Sequence, residues 1–142
     1  MWILTDLSGA SVTGQLEMAV FDTSGAFTEV LSVDVRDNEK LNVTMDFDSL
    51  GGVVMEELYL TNNSIRAYFE FQYLPENIEI FECSSNELTL ELSMNEMPKT
   101  LTHFICGDNS FAGFDWEPAT NYNDDPYALT HLSFVCVFLW IV

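Results

Sequence analysis

Strict alternation of apolar and polar positions is the clearest pattern in this chain. Over residues 41–48, Leu41, Val43, Met45 and Phe47 point one way and Asn42, Thr44, Asp46 and Asp48 the other. Over 65–73, Ile65, Ala67, Phe69, Phe71 and Tyr73 alternate with Arg66, Tyr68, Glu70 and Gln72 until Pro75 ends the run. A period of two marks a strand with one face in a core and one in water. Weaker versions predict strands over 15–21, 27–35, 78–83, 87–94 and 101–106. Residues 53–60 fit a strand or a short helix, and the turn formers on either side, Gly51-Gly52 and Thr61-Asn62-Asn63-Ser64, favour the strand.

Residues 132–142 carry no charge, Gly or Pro and are dominated by β-branched and aromatic side chains. That run is too short to span a bilayer and reads as a central strand covered on both faces. The three-residue turn Ser84-Ser85-Asn86 predicts a hairpin of 78–83 with 87–94, placing Ile80 opposite Leu90 and Glu79 opposite Glu91. From 111 to 126 the periodicity disappears, and Gly113, Pro118 and Pro126 suggest a long loop carrying Phe111, Phe114, Trp116 and Tyr122. No internal repeat is evident. About eight strands separated by turns predict a single all-β domain over 1–142. Its expected form is an antiparallel β-sandwich or partly open barrel, with one short helix near 50–60 as the variant.

Composition changes the picture through charge. Hydrophobic residues make up 48% of the 142 and include 11 Phe, so a core is available. Only four bases (Arg36, Lys40, Arg66 and Lys99) oppose 23 acids, for a formal net charge of −19. Nucleic acid and anionic membrane surfaces are excluded as direct ligands, because both are bound through clustered Lys and Arg. Three cysteines without CxxC spacing, and an N-terminus that meets Asp6 before any long apolar run, point to a reducing, cytoplasmic setting.

Candidate chemistry is thin. His103, Cys106, His131 and Cys136 match no zinc spacing, and Cys136 lies in the most apolar run, where a thiol is silenced. Acidic pairs such as Asp46 with Asp48, Glu56 with Glu57 and Asp124 with Asp125 are too common in so acidic a chain to indicate calcium or a glycosidase. No metal, cofactor or enzymatic activity is expected.

The sharper signal is the acidic surface. Between Arg66 and Lys99 lie seven acids and no base, and five more follow Lys99. Such a field attracts a cationic partner and speeds its docking. The candidate partner-binding residues are Glu70, Glu79, Glu82, Glu87, Glu91, Asp115, Trp116, Glu117, Asp124 and Asp125. Carboxylates at i and i+2 on a strand stand about 7 Å apart, near the spacing of neighbouring phosphates. The expected function is a small acidic protein that neutralises a basic one, such as a nuclease toxin or another nucleic-acid-binding factor. Immunity proteins and phage DNA mimics are similar in size and charge. The rival reading is a ligand-binding or viral structural module that uses the aromatic loop 111–122.

Overall fold

The computed structural model describes residues 3–11, 30–41, 54–115 and 130–133. These form nine strands: Ile3–Asp6 (β1), Val30–Asp34 (β2), Glu57–Tyr59 (β3), Tyr68–Phe69 (β4), Ile80–Glu82 (β5), Thr89–Ser93 (β6), His103–Ile105 (β7), Ser110–Asp115 (β8) and His131–Ser133 (β9). Every pairing among them is parallel. The main sheet runs β1-β2-β3-β5-β7-β9 and a second sheet runs β4-β6-β8. Along the chain a main-sheet strand leads through a tight turn into a second-sheet strand, and a 3₁₀ turn at Phe71–Tyr73 or Met94–Glu96 begins the return. The protein is a parallel β-solenoid.

The coils stack because equivalent positions carry equivalent chemistry. Leu58, Phe81 and Phe104 occupy one rung position on the inner side of the main sheet, and Leu60, Cys83 and Cys106 occupy another two residues on. Met55, Ile78 and Leu101 form a further buried column, as do Ile65 with Leu88 beyond the turn. Phe69, Phe71, Phe81 and Phe104 meet in the middle, with ring centroids 5.0 to 6.2 Å apart. No single coil could bury these side chains, so each coil depends on its neighbours for cover.

The turn is where the repeat is written most plainly. Asn38, Asn63, Asn86 and Asn109 stand at the same corner of successive coils. Asn86 Nδ2 donates to Leu60 O of the preceding coil (2.9 Å) and to Cys83 O of its own (3.0 Å), while its Oδ1 accepts from Ile65 N (3.0 Å). Asn109 repeats this with Cys83 O, Cys106 O and Leu88 N, and Asn63 with Val35 O, Leu60 O and Asn38 N. The residue before each asparagine is left-handed: Asp37, Asn62, Ser85 and Asp108 have φ between 52° and 60°. That kink turns the chain through the corner and leaves the asparagine pointing inward.

Several expectations are corrected. The antiparallel sandwich is replaced by parallel pairing. An alternating pattern states which residues face inward but not the direction of the neighbouring strand. The 78–94 hairpin does not form: β5 and β6 lie in different sheets, each pairing with strands one coil away, so Ile80 faces Glu57 and His103 rather than Leu90, and Glu79 is not across from Glu91. The chain does repeat, with β3, β5 and β7 in matched register. Residues 54–60 are extended, with β3 in place of a short helix. Residues 110–115 form β8 rather than a loop. The strand expected over 132–142 begins as β9, the last strand of the described sheet rather than a central one, and 134–142 lie outside the described residues. The strand over 15–21 and most of that over 41–48 also fall outside them.

Two substitutions test the corner. Asn86→Asp replaces two donated hydrogens with a carboxylate facing two carbonyls, and should cost about 3 kcal/mol or more, lowering the thermal midpoint by roughly 10 °C. Ser85→Gly should act oppositely. Removing a left-handed Cβ gains about 1–2 kcal/mol, less the 0.5–1 that glycine loses in chain entropy, so stability should rise by roughly 0.5–1 kcal/mol in urea unfolding.

Candidate functional site

The outward positions of the main sheet form two ordered rows. One reads Asp6, Asp34, Tyr59, Glu82, Ile105 and Ser133 across six adjacent strands, and the other reads Glu57, Ile80, His103 and His131 across four, with Ser32 in register beside Glu57 but buried. The intervening residues Val33, Leu58, Phe81 and Phe104 are buried, which fixes these rows on the outside. Neighbouring rungs are about 4.8 Å apart, so the face spans roughly 24 Å. Four carboxylates stand on the β1 to β5 side of it, while Ile105 and the stacked rings of His103 and His131 (centroids 5.6 Å apart, planes 21° apart) occupy the β7 to β9 side.

The centre of the acidic half is a tight cluster. Asp34 Oδ1 accepts from Arg36 Nε at 3.0 Å and Asp34 Oδ2 from Arg36 Nη2 at 2.6 Å, a two-pronged pairing of guanidinium and carboxylate. Arg36 Nη1 lies 3.6 Å from Glu82 Oε2, and its Cζ stands 4.5 Å from the centre of the Tyr59 ring. Arg36 can reach both because Asp34 and Arg36 are two residues apart on one extended segment, while Tyr59 and Glu82 sit on the next two strands. The Asp34 hydrogen bond holds the Arg36 guanidinium above even its ordinary range. Burial pushes the Tyr59 phenol up, with Glu57 and Glu82 adding to it and Arg36 opposing. At the sheet edge, the Ser8 N–H and hydroxyl both donate to Asp6 and hold its carboxyl below the usual range.

The second sheet presents a different group. Glu70, Glu91, Glu96 and Asp115 surround an open cleft of about 330 Å³, with Gly113 opposite Glu91. The Tyr68 phenol donates to Glu91, and Gln72 donates to Glu70. The Glu91 bond drives the Tyr68 phenol well above its ordinary value.

The residues singled out in the sequence are thus divided. Glu82 belongs to the main-sheet face, and Glu79 is exposed just before β5. Glu70, Glu91 and Asp115 converge on the second sheet. Glu87 follows the Asn86 corner and accepts from Arg66 Nε at 2.6 Å, so its charge is already partnered and its carboxyl is held low by that contact. Trp116, Glu117, Asp124 and Asp125 lie outside the described residues. The aromatic loop loses one proposed ligand contact, because Phe111 packs against the core from β8. Asp6, Asp34, Arg36, Glu57 and Tyr59 were missed. The signal that would have found them is the recurring corner asparagine, which aligns one coil with the next.

Among the described residues no group of three or more His, Cys, Asp or Glu is arranged to hold a metal ion. None of their helices is long and apolar enough to cross a membrane. Cys83 and Cys106 are fully buried members of a core column, and burial pushes the Cys83 thiol well up. The chain matches no family model, and comparison with characterised proteins and with solved structures finds no match either.

Of the five tyrosines, Tyr59 and Tyr68 should ionise above the ordinary value of about 10 in an ultraviolet titration of the folded protein. Their folded values lie above the unfolded one, so the stability they contribute is whole below about pH 10 and is lost as pH rises through the folded values. Glu91→Gln should bring Tyr68 back toward the ordinary range and leave Tyr59 unmoved. If both tyrosines moved together, the two sheets would not be the independent surfaces described above.

Proposed function

We propose that this protein is a protein-interaction module whose main-sheet face receives a basic protein partner. The observation that carries this reading is the fixing of Asp6, Asp34, Glu57 and Glu82 on four adjacent rungs of one sheet, beside Tyr59, Ile80 and Ile105. Carboxylates set on a stacked scaffold keep their spacing when a partner approaches, so little ordering entropy is spent on docking. Aromatic and aliphatic neighbours supply the apolar contact that charge alone lacks.

Two further facts support the reading. The corner repeat Ile78-x-x-Phe81-x-Cys83-x-x-Asn86-x-Leu88 and its counterpart Leu101-x-x-Phe104-x-Cys106-x-x-Asn109-x-Phe111 follow the spacing of leucine-rich-repeat solenoids. Solenoids of that kind present extended faces for binding. The net charge of −19 makes the long-range field attractive to a cationic protein and repulsive to nucleic acid. Neutralising a nuclease or another nucleic-acid-binding factor falls within this reading.

The test is association kinetics against a basic protein bound by the wild-type chain. Neutralising the face with Asp6→Asn and Glu57→Gln should slow association about tenfold at low salt and flatten its salt dependence. Neutralising the other sheet with Glu70→Gln and Glu96→Gln should leave the rate within about twofold. Equal losses from both pairs would mean the partner senses net charge alone, and the face assigned here would be wrong.

A further inference from the structure

The main-sheet face holds one cation among its carboxylates, and the way it is held resembles recognition more than neutralisation. A surface ion pair needs only proximity. Arg36 instead has its fork matched to both oxygens of Asp34 at 3.0 and 2.6 Å, a second carboxylate 3.6 Å from its other terminal nitrogen, and an aromatic ring 4.5 Å from its central carbon. Those three elements (a forked carboxylate, a second carboxylate and a π face) are what a site needs to read a guanidinium and to reject an ammonium. The receiving groups are the less exposed ones: the Asp34 and Glu82 side chains are 14% and 24% exposed, against 38% for Arg36. The cation therefore lies on the solvent side of the groups that hold it.

Arg36 also comes from beyond the strand that it caps. It follows β2, two residues after Asp34 and just before the left-handed Asp37, and its carbonyl accepts from Asn38 Nδ2. The main chain there is anchored by the corner, so the side chain can swing away without disturbing the coil. Its departure leaves a forked acceptor, a second carboxylate and a ring face open to solvent.

We propose that Asp34, Tyr59 and Glu82 form a guanidinium-reading cradle, filled in the free protein by the chain's own Arg36, which an arginine of the basic partner enters by exchange. This rests on the reading that the main-sheet face receives that partner, and it names the side chain that is read there. The exchange preserves charge within the cradle. Arg36 swings out toward solvent as the incoming guanidinium takes over its bonds, so the cradle selects for arginine-bearing partners while never leaving Asp34 unpaired.

The cradle is tested apart from any partner. In Arg36→Ala, methylguanidinium should bind saturably with a dissociation constant on the order of 1 mM and raise the melting temperature by a few degrees. Methylammonium at equal ionic strength should bind at least tenfold more weakly, and adding Asp34→Asn should abolish the difference. Wild-type protein supplies a second arm that needs no variant. Its only two arginines give two Nε–H resonances, and Arg66, paired with Glu87, serves as the internal control.

Titration of wild-type protein with an arginine-bearing basic peptide should shift the Arg36 signal and spare that of Arg66, and the same peptide with lysine in place of arginine should shift neither. Equal action of methylguanidinium and methylammonium on Arg36→Ala would overturn the proposal, as would an Arg36 signal unmoved by bound arginine peptide. If basic proteins failed to bind the face at all, the functional reading would fall while the small-molecule arm still reported on the cradle.

Discussion

The structure depends on a single side-chain amide used four times. At each corner of the solenoid the chain leaves one sheet for the other. Some backbone groups there still bond directly to the next coil, as Asn62 N does to Ser84 O and Ser85 N to Gly107 O, while others are left to a side chain. Asparagine resolves this because one planar amide offers two hydrogens and an acceptor in fixed directions. Asn86 gives its hydrogens to Leu60 O and Cys83 O and takes one from Ile65 N, so a single residue satisfies groups on two coils. Aspartate lacks the hydrogens, and glutamine has the same groups on a longer and more mobile stem. Buried polar groups left without partners cost about 1–3 kcal/mol each. The same amide that satisfies the corner therefore also sets the register of one coil upon the next.

The surfaces follow from that register. Once Leu58, Phe81 and Phe104 are stacked inward, the residues beside them must stand outward in matching rows. The Asp34–Arg36–Tyr59–Glu82 cluster draws on β2, the turn after it, β3 and β5, three strands that share no contact in sequence. Local sequence proximity explains only the Asp34–Arg36 part of it. The ring and the second carboxylate arrive through stacking alone, so the cluster's geometry is no looser than the corner that aligns the coils.

Much of the strand content was legible from alternation, and β2 to β7 fall within segments read as extended, although the run 65–73 yields only Tyr68–Phe69 as strand before Phe71–Tyr73 coils into a 3₁₀ turn. Strand direction was not legible, because a period of two is the same for parallel and antiparallel neighbours. The corner asparagines carry the missing information: each follows an apolar-x-apolar-x-x spacing, as in Phe81-x-Cys83-x-x-Asn86 and Phe104-x-Cys106-x-x-Asn109. Taken singly, Ser84-Ser85-Asn86 looks like a hairpin turn, since Ser and Asn are turn formers in either setting. β8 was hidden for a different reason. Gly113 interrupts its pattern, and it is paired one for one with Glu91, after a shift in register next to Leu90. Half of the candidate surface was lost in the same way, because Asp34 and Tyr59 acquire meaning only when coils are laid side by side.

A parallel stack of like coils exposes a highly acidic chain to a particular hazard: identical positions in successive coils become neighbours about 4.8 Å apart. Repeating a glutamate at one outward position would build a column of like charges, each directly opposed pair costing on the order of 0.2–1 kcal/mol. The main-sheet face avoids this by staggering. Glu57 is followed on its row by Ile80 and His103, and Glu82 lies between Tyr59 and Ile105. Asp6 and Asp34 are the exception as direct neighbours, and there Arg36 is forked to Asp34 while the Ser8 N–H and hydroxyl hold the Asp6 carboxyl low, with a smaller contribution from Arg36. Among the described residues of this face the negative charge is thus carried with little stacking, and where Asp6 and Asp34 do meet, a guanidinium stands beside them.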